Sequence, residues 1–134
     1  MRRKARAFLP VWISAILAGV VFLKVVRPDD YSPFVRAAMR LEALHVIAHL
    51  FLYGTLAAAC RLATRAAWAP LALVFAVGFV QEAAQTVLFG RPMGPPEAFD
   101  IGVDMTAASL VVLASWLLVR RRRQTLSSAT GVLE

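Results

Sequence analysis

Cysteine is almost absent from this chain of 134 residues, which has only Cys60, inside an apolar run. A single cysteine forms neither an intramolecular disulfide nor a Cys-x-x-Cys redox motif, so we expect Cys60 to be a buried small residue. The sequence also has no internal repeat of the length that builds solenoids. These absences exclude a disulfide framework, a dithiol redox protein and a repeat architecture.

Acidic residues are also few, with eight Asp and Glu against fifteen Lys and Arg, for a net charge of +7. A basic balance can indicate nucleic-acid binding, which requires a basic domain or face together with a recognised motif. Here the basic residues form short clusters beside apolar runs and build no separate domain. We therefore expect no nucleic-acid partner.

Apolar residues make up 60% of the chain, and the mean hydropathy is +0.67. Soluble domains average roughly 45–50% apolar residues. The excess lies in runs of about 20 residues, the length that crosses a bilayer as a helix. The sequence therefore predicts an all-α protein, a four-helix transmembrane bundle forming one domain over residues 1–119, with spans at about 8–26, 41–60, 67–89 and 100–119.

The segments between the spans have their own signals. Residues 1–7 are basic and precede an apolar run without a small-x-small cleavage site, which favours an uncleaved first span. Residues 27–40 suggest an amphipathic segment on the membrane surface. Gly90 is expected to end the third span, residues 91–96 to form a stiff Gly/Pro loop, and Asp100 to be the N-cap or a first-turn residue of the fourth span. The arginines at 120–123 should stop that span, followed by a disordered cytoplasmic tail to residue 134.

The charge distribution predicts the orientation. Four spans place both termini on one side, together with ten of the fifteen Lys and Arg residues. Cytoplasmic loops carry the excess of Lys and Arg, so both termini are predicted to be cytoplasmic, in the inner (plasma) membrane.

Ionisable and polar residues recur inside the predicted spans, where charge is costly and function is the default hypothesis. The helical rise per residue places His49 about 12 Å, Glu82 about 10 Å and Asp104 about 6 Å below the outer boundary of the membrane. Three spans are therefore predicted to contribute residues to one layer of the outer leaflet. A network that only holds helices together would need fewer charges than this. The predicted polar pocket consists of His45, His49, Tyr53, Glu82, Gln85, Arg91, Asp100 and Asp104.

Part of this pattern resembles the VanZ-like family of small membrane proteins, named for a member linked to teicoplanin resistance. The similarity covers about residues 41–119: His49 and Tyr53 four apart, Glu82-x-x-Gln85, Gly90-Arg91, and Asp100 opening the last span. The family usually has Asp-Lys where this chain has His45-Val46, and commonly asparagine at the position of Asp104. The resemblance implies four membrane helices and a link to the cell envelope or to glycopeptide-antibiotic response.

Two functions fit these residues. In the first, the pocket binds membrane lipids, through an anionic headgroup or a lipid-linked glycan, in an accessory role, with Arg91 suited to phosphate. In the second, the protein is a membrane-embedded hydrolase of a lipid phosphate or glycolipid headgroup, using acid–base or metal chemistry. No cofactor is predicted, and because HExxH is absent the metal signal is weak; its candidates are His45, His49, Glu82 and Asp104.

Two further roles rank below these. Asp, Glu and His chains can relay protons, but the predicted cytoplasmic halves of the spans lack ionisable residues, so a path across the membrane is missing. A purely structural subunit would tolerate alanine at His49, Glu82 and Asp104 in function while its expression falls.

Overall fold

The computed structural model describes residues 1–25, 41–64 and 66–130. Four α-helices run through these residues: α1 (Arg2–Val25), α2 (Glu42–Ala63), α3 (Ala69–Phe89) and α4 (Pro95–Thr130). Each is long and apolar enough to cross a membrane. The prediction of an all-α fold with four helices of membrane-spanning length is therefore confirmed for the described residues, and these helices indicate a multi-pass membrane protein. The predicted surface segment at 27–40 lies outside the described residues.

The beginning of α4 differs from the prediction. Pro95 and Pro96, expected to lie in a loop, form its first turn, and Asp100 lies in the second turn rather than at the N-cap or in the first turn. Proline is well suited to the first helical position. A backbone N–H there has no intrahelical acceptor in any helix, so the proline loses no hydrogen bond. The Glu97 side chain reaches back to accept a hydrogen bond from the Gly94 backbone N–H at 2.8 Å, as in a capping box.

The end of α3 agrees with the prediction, whereas the helix boundaries near the two ends of the chain do not. Gly90 ends α3 in a left-handed conformation with φ 64°, as predicted, and Arg91 N donates to Thr86 O at 3.1 Å in a Schellman-type turn. However, α1 begins at Arg2, within the basic segment, and α4 continues past the four arginines to Thr130. The predicted disordered tail is thus helical as far as Thr130.

Helix α3 packs against α1, α2 and α4, and helix α2 likewise packs against α1, α3 and α4. Tyr53, Leu56 and Ala57 of α2 are fully buried in a core shared with residues of the other three helices. The outward faces carry many exposed large apolar side chains, such as Phe51, Phe79 and Leu110. An exterior of this kind suits contact with lipid and would be a liability in water.

Helices α2 and α4 run parallel, in a nearly constant register. His45 contacts Asp100 and His49 contacts Asp104, both at a separation of 55 residues. The ideal Cβ position at Gly54 lies 3.9 Å from the Cβ of Ala107, so small side chains let the two helices approach closely. This register sets polar residues of α2 directly against those of α4.

Candidate functional site

Two histidine–aspartate pairs lie one helical turn apart between α2 and α4, near the beginnings of both helices. His49 and Asp104 form the deeper pair, with Nδ1 of His49 2.8 Å from Oδ1 of Asp104. Their side chains are only 8% and 1% exposed. Because a carboxylate accepts hydrogen bonds, Nδ1–H of His49 is the donor, which leaves Nε2 of the neutral ring as an acceptor.

The outer pair, His45 and Asp100, is more accessible. Nε2 of His45 lies 3.0 Å from Oδ1 of Asp100, and the two side chains are 48% and 15% exposed. The two imidazole rings are also close, with centroids 4.5 Å apart. The pairs therefore form a short polar column that begins at the end of the bundle and continues into its core.

A second chain of hydrogen bonds joins α2 to α3. The buried hydroxyl of Tyr53 donates to Oε1 of Gln81 at 2.8 Å, and Nε2 of Gln81 donates to Oε1 of Glu82 at 3.1 Å. Nε2 of Gln85 donates to the same Glu82 oxygen at 3.2 Å. The rings of His49 and Tyr53 stack with centroids 5.8 Å apart, so this chain is continuous with the histidine–aspartate column.

Seven of the eight residues predicted for the pocket thus belong to one set of contacts, which we call the polar cluster. It also includes Gln81, which lies on the same face of α3 as Glu82 but was not among the predicted residues. The polar cluster consists of His45, His49, Tyr53, Gln81, Glu82, Gln85, Asp100 and Asp104.

Arg91 is the eighth predicted residue, and its observed partner is a residue that the sequence reasoning missed. Its guanidinium pairs with the carboxylate of Glu97 at 3.1 Å, where the Glu97 side chain is only 4% exposed. The same carboxylate accepts the Gly94 N–H, so Glu97 holds the loop against the first turn of α4. The Gly-Pro-Pro-Glu order, with proline at N1 and glutamate at N3, was the signal for this arrangement.

The residues that can hold a metal ion differ from those predicted. One donor atom from each of His45, His49 and Asp100 lies within 4.8 Å of the other two. Of the other predicted candidates, Asp104 accepts a hydrogen bond from Nδ1 of His49, and Glu82 accepts hydrogen bonds from two amides. The ligand group therefore includes Asp100 in place of Glu82 and Asp104.

Gly78 on α3 makes room for Asp104. A Cβ at this position would lie 2.9 Å from Oδ2 of Asp104, and among the described residues that oxygen has no hydrogen-bond partner. Since the other carboxylate oxygen is held by His49, the side chain cannot move away freely. Gly78 is thus required for the close approach of α3 to the buried pair.

Substituting Gly78 by alanine is expected to lower the free energy of unfolding by about 1–3 kcal/mol, the usual cost of overpacking. The measurement is SDS-induced unfolding of the purified protein in mixed micelles. Gly54→Ala is the matched control, because its added methyl would meet the Cβ of Ala107 at 3.9 Å, an ordinary contact. An equal loss in both variants would contradict this account of Gly78.

Comparisons with protein-family models, with curated proteins and with solved structures gave no match for this chain.

Proposed function

We propose that the protein is a VanZ-like protein of the inner (plasma) membrane, with both termini cytoplasmic, that binds a lipid-linked glycan in an accessory role in the cell envelope. The resemblance in His49, Tyr53, Glu82, Gln85, Gly90, Arg91 and Asp100 supports the family and its link to glycopeptide-antibiotic response. The excess of Lys and Arg on the side of the termini supports the orientation, which puts the polar cluster in the outer half of the membrane.

The observation that carries this proposal is the continuity of the polar cluster from an accessible end into the core. His45 is half exposed at the outer end, and Tyr53 is fully buried at the inner end. Imidazoles, carboxylates and side-chain amides exchange hydrogen bonds with hydroxyl groups. A sugar headgroup, which presents many hydroxyls, can therefore bind at the outer end of this column.

The charge of the cluster favours a sugar over a bare phosphate. Glu82, Asp100 and Asp104 supply three carboxyl groups to the polar cluster, while the guanidinium of Arg91 is paired with Glu97. Arginine recognises phosphate through its free N–H fork, and the Glu97 carboxylate already engages one of those nitrogens. The anionic-headgroup form of the proposal is therefore the weaker one.

Binding of a polyprenyl diphosphate that carries one sugar tests the proposal. The protein is placed in nanodiscs with a chelator present, and binding is measured by native mass spectrometry. We expect His45→Ala and Asp100→Asn each to weaken binding at least tenfold, because each removes a side-chain group that the sugar would contact. A tenfold change corresponds to roughly 1.4 kcal/mol of binding free energy. Glu42→Gln is the control, because it removes an exposed carboxylate from the same end of α2.

Two results would count against this reading. Unchanged binding in both His45→Ala and Asp100→Asn would remove the polar cluster as the glycan site. Equal binding of the sugar-free lipid, lost in Arg91→Ala, would instead favour an anionic headgroup.

Hydrolysis of a lipid phosphate or glycolipid headgroup is the second candidate, and the geometry of the inner pair favours it over other chemistry. A carboxylate on Nδ1 orients the imidazole of His49 so that Nε2 can take a proton from water. Product release from a labelled lipid by the wild type, and its loss in His49→Gln, would support a hydrolase. No turnover by the wild type would leave the binding role.

A further inference from the structure

We infer that His45, His49 and Asp100 form a binding site for one divalent transition-metal ion, of which Zn²⁺ is the representative. This inference is independent of the glycan proposal, because it concerns the metal ion alone. It begins from the observation that one donor atom from each residue lies within 4.8 Å of the other two.

The backbone geometry favours simultaneous ligation. His45 and His49 are four residues apart on α2, the spacing that puts two imidazoles on one face of a helix and serves zinc in other helical sites. Asp100 comes from the parallel helix α4, in register with His45. The ligands therefore come from two packed helices, which hold a site more firmly than loops do.

The distances are close to those that a metal ion requires. Two ligands about 2.0–2.1 Å from a tetrahedral Zn²⁺ are about 3.3 Å apart. Nε2 of His45 and Oδ1 of Asp100 are already 3.0 Å apart, joined by a hydrogen bond. An ion between them takes the place of the shared hydrogen, and the heavy atoms need to separate only slightly. The Nε2 proton of the neutral ring moves through solvent to Nδ1, so that His45 binds as neutral imidazole.

Asp104 orients the imidazole ring of His49, the third proposed ligand, by accepting its Nδ1–H. Metal-binding histidines usually donate their other ring N–H to a carboxylate, which fixes the tautomer and increases the basicity of the ligating nitrogen. His49 has this arrangement, with its Nδ1 2.8 Å from Oδ1 of the buried Asp104. Nε2 of His49 is then the nitrogen that can bind the ion.

The ligand types and the exposure of the site indicate which ions would bind. Two imidazoles and one carboxylate suit Zn²⁺ and other transition ions better than Mg²⁺ or Ca²⁺, which prefer oxygen ligands. His45 is half exposed, so an ion can enter from the end of the bundle without disturbing the buried pair. Three protein ligands leave a fourth position for water or another small ligand.

Metal binding to the full-length protein in detergent micelles, with no lipid ligand added, tests the inference. After treatment with a chelator and its removal, Zn²⁺ is titrated in competition with a chromophoric chelator. We expect one Zn²⁺ per chain, with affinity at least tenfold lower in His45→Ala and in Asp100→Asn. Co²⁺ should give the absorption bands of a four-coordinate site in the wild type, and both variants should lose them.

Glu42→Gln is the matched control, since it removes one carboxylate near the same helix end but no proposed ligand. Unchanged Zn²⁺ affinity in this control would support specific ligation. The inference would be overturned if the wild type bound Zn²⁺ no more tightly than His45→Ala and Asp100→Asn. It would also be overturned if Glu42→Gln weakened binding as much as they do, because general charge attraction would then explain the result. Far-UV circular dichroism of each variant verifies that it is folded.

Discussion

Replacing His49 with leucine is expected to lower the free energy of unfolding by about 3–5 kcal/mol, the typical cost when a buried carboxylate loses the partner that compensates it. Asp104 is 1% exposed, and His49 provides its only hydrogen bond among the described residues. Without the imidazole, this carboxyl group is left in the core with neither water nor a partner. The measurement is SDS-induced unfolding in mixed micelles, followed by circular dichroism.

Two further variants make this expectation specific. Adding Asp104→Leu to His49→Leu should recover most of the lost stability, since replacing both partners by apolar residues is often neutral. His45→Leu at the half-exposed outer pair should cost only about 0–1 kcal/mol, as exposed ion pairs do. Equal losses in His49→Leu and His45→Leu would show that burial of the inner pair does not control stability.

The second large effect is expected at Glu82. Glu82→Leu should lower the free energy of unfolding by about 2–4 kcal/mol, because it leaves two amide groups without an acceptor. Those amides belong to Gln81, which is buried, and Gln85, which is partly buried. Since Gln81 also accepts from Tyr53, the loss should extend across the contact between α2 and α3. The same unfolding assay measures it.

Glu82→Gln is the matched control for that prediction. Glutamine retains an oxygen that can accept from both amides, so we expect it to cost less than about 1 kcal/mol. If Glu82→Gln and Glu82→Leu were equally destabilising, the negative charge of Glu82, and not its role as an acceptor, would be what stabilises the bundle.

Hydrophobic run length and polar periodicity predicted most of the architecture. Four apolar runs of about 20 residues became four helices, and Gly90 ended α3 as its missing side chain allows. The four-residue spacing of His45, His49 and Tyr53 correctly placed them on one face of α2. These features depend only on helix geometry and on residues close together in the chain, so they can be predicted from the sequence alone.

The beginning of α4 shows where such rules were misapplied. Two adjacent prolines were expected to exclude a helix, yet they occupy the first turn, where no backbone N–H is needed. The start at Asp100 also put Asp104 only about 6 Å deep, whereas nine residues from Pro95 put it about 14 Å along the helix. The corrected start brings Asp104 level with His49, its observed partner.

The pairing of side chains was beyond sequence reasoning, because it depends on the register between α2 and α4. Arg91 was predicted to be a pocket residue on account of its charge and its loop, and the pairing of its guanidinium with Glu97, six residues away, was not predicted. Likewise, only the structure shows that Asp100 groups with His45 and His49, while Asp104 accepts from Nδ1 of His49. One-turn shifts between packed helices decide such contacts.

The central claim is that the polar cluster binds the sugar headgroup of a lipid-linked glycan at its accessible outer pair, His45 and Asp100. The most direct test is the double variant His45→Ala/Asp100→Asn, assayed for the sugar-bearing polyprenyl diphosphate in nanodiscs after its helical content and unfolding midpoint have been measured. The account predicts a folded, stable protein with binding weakened at least tenfold. A folded double variant that binds this lipid as tightly as the wild type would contradict it.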